Sequence, residues 1–263
     1  MSQSGQRWVV VLGASSGFGE AACRAYAAAG WDVFGVHLDR RQGLAHVEEI
    51  VAAIRAAGRA AHFFNVNAAD HEKRAETVAE MARLAGGRPV GALLHSLAFG
   101  TLKAYIADDP KDALTPAQMD MTLDVMAHSL VYWTQDLVRA GLLGRGARIF
   151  AMTSAGDRVV WKSYGAVSAA KAALEAHIRQ LAFELAPLGI TANAIKGGVT
   201  DTPALRKIPG NEAIVASARA RNPSGRLTTP EDVARCLVAL SVPGTQWLTG
   251  SVLNVDGAED VAG

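Results

Sequence analysis

Residues 8–19 read WVVVLGASSGFG, and this stretch decides the fold. Its first five residues are a continuous apolar run, mostly valine, which is typical of a strand buried on both faces of a parallel sheet. A glycine-rich turn follows, and an alanine-rich segment closed by Gly30 predicts a helix over 17–29. This order indicates a dinucleotide site, because the glycines and the free N–H groups of the helix can approach a pyrophosphate. A plain structural turn is the alternative, since the glycine spacing differs from the commonest fingerprint.

Strands and helices alternate along the rest of the chain. Strands are predicted at 8–12, 33–38, 60–66, 90–97, 147–154, 190–195 and 252–255, and helices at 17–29, 42–57, 70–84, 116–140, 163–186 and 230–241. Repeated β–α units require parallel strands joined by right-handed crossovers. We therefore predict an α/β fold of the Rossmann type: one domain over 1–263 with a single doubly wound parallel sheet of about seven strands and helices on both faces.

Two long irregular stretches, 98–115 and 197–229, each follow a predicted strand. Long loops in compact domains are usually functional, and open α/β sheets bind ligands beyond the carboxyl ends of their strands. We therefore predict that both stretches line the site and that about 199–229 forms a small substrate lid. Trp161, Tyr105 and the segment 203–214 are candidates for an apolar substrate groove, although each is equally well interpreted as core.

Composition excludes several classes of function. The 263 residues carry a net charge of +1 with scattered charges, so no nucleic-acid surface is indicated. The two cysteines, Cys23 and Cys236, lack metal-ligand spacing and favour reduced thiols, so no metal site is predicted. The N-terminal segment 1–7 is polar, and the apolar run 8–12 is too short for a signal peptide or a membrane span. We expect a cytoplasmic protein without a membrane partner.

A second stretch, residues 163–174, reads SYGAVSAAKAAL and holds a phenol and an ammonium seven residues apart. Seven steps of about 100° return almost to the starting direction, so Tyr164 and Lys171 are expected on the same side of a helix. A cation beside a phenol lowers the pKa of the phenol, which suits an acid that works near neutral pH. Taken alone, such a pair is better interpreted as a surface pair. The glycine turn at the start of the chain favours a functional role for it.

Together these residues resemble the short-chain dehydrogenase/reductase family over essentially the whole chain. The matching pieces are 13–19, Asn65-Val66, Ser154, the Tyr164/Lys171 pair, 193–198 with Thr202, and 255–257. The resemblance implies an oxidoreductase that binds a nicotinamide dinucleotide, with Tyr164, Lys171 and Ser154 as catalytic residues.

The spacing of these residues narrows the resemblance. Most members place the tyrosine four residues before the lysine and the serine seventeen before it; Ser154 keeps its spacing, but Val167 stands at the tyrosine position and the nearby phenol is Tyr164. The longer spacing and the stretch 95–99 are similar to the bacterial enoyl-acyl-carrier-protein reductases. The glycine turn 13–19 instead resembles that of ordinary ketoreductases. A chain that combines this turn with the longer tyrosine–lysine spacing is most similar to the minor, NADPH-dependent type of enoyl reductase.

The earlier position of the tyrosine suits the place at which negative charge develops on an enoyl substrate. Hydride transfer to an enoyl thioester places negative charge on an oxygen three bonds from the carbon that is attacked, whereas in a ketone the oxygen is directly bonded to that carbon. Moving the phenol back by three residues displaces it by roughly 4.5 Å. We expect Tyr164 to stabilise this charge, Lys171 to hold the nicotinamide ribose, and Ser154 to orient Tyr164 or the thioester carbonyl. For Ser154, a hydroxyl bonded to backbone is an equally good interpretation.

The resemblance also assigns cofactor contacts to residues of this sequence. These are Gly13, Ser15, Ser16, Gly17, Phe18 and Gly19 in the pyrophosphate loop, Asn65 and Val66 at adenine, Ser96 and Ala98 at the nearby ribose, and Val199 and Thr202 at the nicotinamide carboxamide. After the second strand, His37 stands where the family's NAD-selecting acid falls, and Arg40 and Arg41 suit a 2′-phosphate. Against this, Asp39 lies about 20 residues past the loop, where an acid binds the 2′-OH of NAD. We favour NADPH, with NADH as the alternative.

We predict an NAD(P)H-dependent enoyl reductase of fatty acid or related acyl metabolism, acting on a thioester of acyl carrier protein or coenzyme A. The alternatives are a ketoreductase or dehydrogenase of another small metabolite and a non-catalytic dinucleotide-binding protein; the intact catalytic set argues against the last. The predicted helices 116–140 and 163–186 carry apolar or small residues on more than one face. By resemblance such helices pair between subunits, so we expect a homotetramer, or else a dimer.

Overall fold

The computed structural model describes residues 7–262, so the predicted polar segment 1–7 lies, apart from Arg7, outside the described residues. The strands are β1 Trp8–Leu12, β2 Asp32–His37, β3 Ala61–Asn65, β4 Val90–His95, β5 Leu143–Thr153, β6 Thr191–Gly197 and β7 Val252–Val255. The helices are α1 Gly17–Ala28, α2 Leu44–Ala56, α3 His71–Ala85, α4 Pro116–Leu123, α5 Ser129–Arg139, α6 Gly165–Leu185, α7 Asn211–Arg221 and α8 Pro230–Leu240. Within the described part of the chain, no helix is both long and apolar enough to cross a membrane.

The strands form one parallel sheet in the order β3-β2-β1-β4-β5-β6-β7. The predicted α/β class and doubly wound sheet are confirmed. Strand order reverses between β1 and β4, so the carboxyl ends of these two strands form the switch point at which open α/β sheets bind ligands.

Alternate residues of β1 fill two hydrophobic cores, one on each face of the sheet. Trp8 belongs to the core that packs against α5 and α6, where its ring stacks on Phe34 with centroids 3.9 Å apart. Val9 belongs to the other core, with Tyr26 of α1. Full burial of a large apolar side chain contributes about 1.5–3 kcal/mol, so the strand stabilises both layers at once.

The predicted helix over 116–140 is helical from Pro116 to Arg139, but it contains a π-helical turn at Asp124–His128 that separates α4 from α5. At this turn Ser129 Oγ donates to the carbonyl of Val125 over 2.8 Å and lies 2.9 Å from His95 Nε2. A serine hydroxyl that bonds the carbonyl four residues earlier slightly destabilises a helix and often bends it. The widened turn therefore lies where a local hydrogen bond and a tertiary contact meet at Ser129.

The stretch 197–229, predicted to be irregular, contains α7. Gly210 precedes this helix with a φ of +75°, a conformation that glycine adopts without strain. The helix contains four alanines and two arginines, which favour helix formation, but only Ala218 is buried. Without an apolar face, α7 gives no helical period in the sequence.

Candidate active site

The glycine turn between β1 and α1 packs tightly against the ends of β4 and β6. A Cβ atom on Gly13 would lie 2.5 Å from the carbonyl oxygen of Ser96, and one on Gly19 would lie 1.9 Å from the carbonyl oxygen of Gly13. Neither position has room for a side chain. The Phe18 ring reaches β6, where its Cζ lies 3.0 Å from the point that a Cβ of Gly197 would occupy. The turn thus forms one wall of a cleft at the switch point.

The N-terminus of α1 faces this cleft with uncapped backbone. Ser16 is the N-cap residue in an extended conformation, and its side chain makes no capping hydrogen bond. Gly17, which opens the helix, has a φ of +53°, and Thr202 Cγ2 would lie 3.3 Å from its Cβ. With Ser15 beside them, free N–H groups at a helix start fit the pyrophosphate of a dinucleotide.

The turn after β2, the strand next to β1 on the side away from β4, is held in place by side chains. His37 Nδ1 lies 2.9 Å from Asp39 Oδ2. The Asn65 amide donates to the carbonyl of Asp39 and accepts from its N–H, each over 3.0 Å. Arg40 and Arg41 follow on the surface, and neither guanidinium has a partner among residues 7–262. Asn65, predicted at adenine, therefore also holds the turn that carries the two arginines.

The remaining predicted adenosine contacts follow β3 and β4. Val66 is half-buried, and its N–H donates to the carbonyl of His37 over 2.8 Å. Ser96 is half-buried too, and its N–H donates to the carbonyl of Leu12 over 2.8 Å. Ala98 is exposed. All three therefore follow strand ends at the same edge of the sheet.

The segment after β6 is fixed by an acid that the sequence analysis missed. Both carboxylate oxygens of Glu259 lie 3.2 Å from the N–H of Val199, a predicted carboxamide contact. Burial raises the pKa of Glu259. Thr202 is buried, and its Oγ1 accepts from the N–H of Leu205 over 3.2 Å. No sequence motif marks Glu259, which lies sixty positions beyond Val199.

Tyr164 and Ser154 meet at the turn between β5 and α6. Tyr164 is the N-cap of α6 and follows Ser163, whose φ of +63° places it in the left-handed region. A Cβ atom on Gly156 would lie 2.5 Å from Tyr164 Cε1 and 3.2 Å from Ser154 Oγ. The phenol ring and the hydroxyl therefore border the same small space.

Ser154 Oγ is buried without a hydrogen-bond partner in the described range 7–262. The alternative interpretation, that the Ser154 hydroxyl bonds to backbone, is therefore wrong. Burial raises the pKa of Tyr164, and the nearby Ser154 hydroxyl opposes the rise. A protonated phenol and an unsatisfied hydroxyl together can donate to an oxygen that gains negative charge.

Lys171 lies two turns further along α6 and is buried. Its Nζ donates to the carbonyl of Met152 over 2.7 Å. Burial lowers the pKa of Lys171 to about 8, and Glu175 opposes this shift. The pKa of Tyr164 is raised by its burial, which outweighs the opposing effect of the Ser154 hydroxyl. The prediction that the lysine lowers the pKa of the phenol is therefore wrong here, because desolvation of the phenol dominates.

The family model described as enoyl-(acyl carrier protein) reductase matches residues 13–258. The chain belongs to this family of short-chain dehydrogenases/reductases. As a family member it is an NAD(P)H-dependent oxidoreductase, and the glycine turn with the uncapped α1 N-terminus fits the dinucleotide. When bound, the nicotinamide supplies or accepts the hydride.

Two curated relatives have established names. The chain is 32% identical to cis-4-hydroxycyclohexanecarboxylate dehydrogenase of Sinomonas cyclohexanicum, over 96% of each protein. It is 29% identical to the enoyl-(acyl-carrier-protein) reductase (NADH) FabI of Aquifex aeolicus, over 65% of this chain and 62% of that protein.

Two solved structures share the fold over nearly the whole chain. The enoyl-(acyl-carrier-protein) reductase (NADH) from Aquifex aeolicus superposes with a TM-score of 0.85 at 21% identity, covering 98% of this chain and 97% of that one. A short-chain dehydrogenase from Burkholderia cenocepacia in complex with NADP gives a TM-score of 0.82 at 29% identity, covering 97% and 98%.

In this oxidoreductase His95 has a structural contact. Because Ser129 Oγ donates to the carbonyl of Val125, it accepts from His95 Nε2, which assigns the proton to that nitrogen. The imidazole is fully buried, and burial, with a smaller effect of Lys171, lowers its pKa to about 3. A neutral imidazole at neutral pH supports the interpretation of His95 as a hydrogen-bonded structural residue.

The predicted groove residues Tyr105 and Trp161 lie near the start of α6 and on the loop before it. The Tyr105 ring packs over the start of α6, with Cζ 2.5 Å from the point that a Cβ of Gly165 would occupy. Trp161 Nε1 donates to the carbonyl of Pro209 over 3.1 Å, which joins the β5–α6 loop to the predicted lid. Ile106 and Val160 are exposed on the neighbouring loops. The entrance is therefore bordered by apolar side chains, which suits an apolar substrate.

Proposed function

We propose that this reductase uses NADPH to reduce the α,β double bond of an enoyl thioester carried by acyl carrier protein or coenzyme A. The proposal rests on the position of Tyr164 at the N-cap of α6, seven residues before Lys171. At the more usual position, four before the lysine, Val167 is buried in the core. The family description and the relative named FabI support the same reaction.

The chain's own residues suit this chemistry. Tyr164 keeps its proton at neutral pH, because burial raises its pKa, and it can donate to a thioester oxygen on which negative charge develops. Ser154 Oγ offers a second donor beside it. Lys171 would hold the nicotinamide ribose with the donors that its bond to Met152 leaves available.

Charge at the turn after β2 supports NADPH over NADH. Arg40 and Arg41 are exposed and have no acidic partner among the described residues, so both are available to a 2′-phosphate. Asp39, the acid that would select NADH, is bonded to His37. The Burkholderia cenocepacia relative was solved with NADP, whereas FabI is named for NADH.

A ketoreductase or alcohol dehydrogenase is the second candidate. The relative that covers 96% of the chain is named as the dehydrogenase of a hydroxy acid, which is carbonyl and alcohol chemistry. With that substrate Tyr164 and Ser154 would donate to the oxygen on the attacked carbon.

We also propose a cytoplasmic location and a homotetramer. Cys23 and Cys236 are both free thiols, which suits a reducing compartment. On the outer side of α6 the small side chains of Ala172 and Ala176 and the ring of Phe183 are exposed, which suits a contact between subunits.

The test follows NADPH and NADH absorbance with crotonyl and acetoacetyl thioesters in parallel. We expect crotonyl reduction with NADPH, and a loss of about 10²-fold or more in kcat for Tyr164→Phe, the magnitude typical of losing one oxyanion donor. Tyr132→Phe, on an exposed residue of α5, is the matched control. Faster acetoacetyl than crotonyl reduction would favour the ketoreductase, and undiminished crotonyl reduction by Tyr164→Phe would refute the role of the phenol.

A further inference from the structure

The last residue of β2, His37, contacts an acid two positions further on. His37 Nδ1 lies 2.9 Å from Asp39 Oδ2, and the His37 side chain is 3% exposed. Because an ionised carboxylate only accepts hydrogen bonds, Nδ1 is the donor. The imidazole also packs beside Phe63, with ring centroids 6.2 Å apart. The position of the His37 imidazole is therefore fixed by its packing against the sheet, because almost none of the side chain is exposed to solvent.

The turn that carries Asp39 is closed on its other sides. The Asn65 amide binds both the N–H and the carbonyl of Asp39. A Cβ atom on Gly43 would lie 2.7 Å from Asp39 Oδ1, so that oxygen packs against the glycine. The carboxylate thus lies between His37 and Gly43, and its backbone is fixed by Asn65.

This carboxylate has a direct consequence for the cofactor. An acid at this point of a dinucleotide-binding fold binds the 2′-OH of NAD, and it repels a 2′-phosphate. Arg40 and Arg41, the next two residues, carry the charge that binds the phosphate. Acid and arginines therefore favour opposite cofactors.

We propose that His37 is a specificity-determining residue that acts through Asp39. By donating to Oδ2 it holds the carboxylate against the sheet and Gly43, away from the ribose, so that Arg40 and Arg41 can bind a 2′-phosphate. The inference rests on the proposed use of NADPH. His37 does not touch the reacting atoms; it positions the acid that would exclude the phosphate.

The test measures dissociation constants of NADP⁺ and NAD⁺ by titration calorimetry, without any acyl substrate. His37→Leu and His37→Phe remove the donor and keep an apolar side chain, and His37→Asn places an amide N–H near the position of Nδ1. We expect the first two to lower the affinity ratio of NADP⁺ to NAD⁺ by about tenfold or more, and His37→Asn to retain most of it. His46→Leu, on an exposed histidine of α2, is the control and should leave the ratio unchanged.

A second arm shows whether His37 acts through Asp39. In an Asp39→Asn background, His37→Leu should no longer change the ratio, because no carboxylate remains to be released. Equal weakening of both cofactors by His37→Leu and His37→Phe, or an undiminished effect in the Asp39→Asn background, overturns the proposal. If the wild-type protein prefers NAD⁺, the proposed use of NADPH fails, whereas the shift caused by His37→Leu still tests the contact separately.

Discussion

The ammonium of Lys171 donates a 2.7 Å hydrogen bond to the carbonyl of Met152, two residues before Ser154. This bond fastens α6 to the end of β5, the two elements that carry Tyr164 and Ser154. One turn further along α6, Glu175 accepts from Thr153 Oγ1 over 2.7 Å. Lys171 is therefore buried with the carbonyl of Met152 as its acceptor and the Glu175 carboxylate nearby.

Burial of this lysine predicts a basic limit to activity. The pKa of Lys171 is lowered to about 8, so its cation is present below that pH and is lost above it. The pKa of Tyr164 is raised, so the phenol does not titrate in this range. Because kcat/KM reports the free enzyme, kcat/KM for the dinucleotide should fall as the pH rises through about 8. The pH profile measures this directly.

Lys171→Arg gives the matched control for that profile. A guanidinium keeps its charge to high pH, so the fall near pH 8 should disappear even if the variant is slower overall. A wild-type profile that stays flat up to pH 10, or a fall near pH 8 that persists in Lys171→Arg, would show that another group is responsible.

The space shared by Tyr164 and Ser154 predicts that Gly156→Ala is strongly impaired. The new methyl group would lie 2.5 Å from Tyr164 Cε1, so the ring must move. A displacement of about 1 Å in a catalytic group can cost about 10²-fold in rate, and we expect a fall in kcat of this order. Gly144→Ala is the control, because its Cβ meets nothing within 4 Å. Full activity of Gly156→Ala in steady-state assays would contradict this position of the ring.

The sequence predicted features that depend on local patterns. The apolar run of β1 and the alternation of strands and helices predicted the sheet. A strand that is buried on both faces needs apolar residues at consecutive positions, and this pattern is visible in the sequence. Tyr164 and Lys171 could be paired because helix geometry places residues seven apart on the same side. Ser154 was predicted only through the resemblance to the short-chain dehydrogenases/reductases.

Features that depend on distant contacts escaped prediction. The π-helical turn between α4 and α5 lies where Ser129 contacts His95, which is distant in sequence, and Glu259, the partner of the Val199 N–H, is also distant in sequence. The pKa of Tyr164 was predicted in the wrong direction, because spacing shows a nearby cation but not the extent of burial.

The bond between Trp161 and the predicted lid should affect substrate binding more than turnover. Trp161→Phe keeps an aromatic ring but removes the N–H that donates to the carbonyl of Pro209. Loss of one hydrogen bond costs about 1 kcal/mol, so we expect KM for a crotonyl thioester to rise about fivefold with kcat nearly unchanged. Trp247→Phe, on a side chain that is 96% exposed, is the control. A fall in kcat without a change in KM would contradict this role for the lid contact.

The outer side of α6 predicts how the assembly can be broken. Ala172 is exposed on this helix, and a helix–helix contact between subunits at this point would leave no space for a long charged side chain. We expect multi-angle light scattering to report a tetramer for the wild-type protein and a smaller species for Ala172→Arg. Ala45→Arg, on an exposed position of α2, introduces the same charge and should leave the tetramer intact. A wild-type monomer, or a tetramer that survives Ala172→Arg, would show that α6 does not join the subunits.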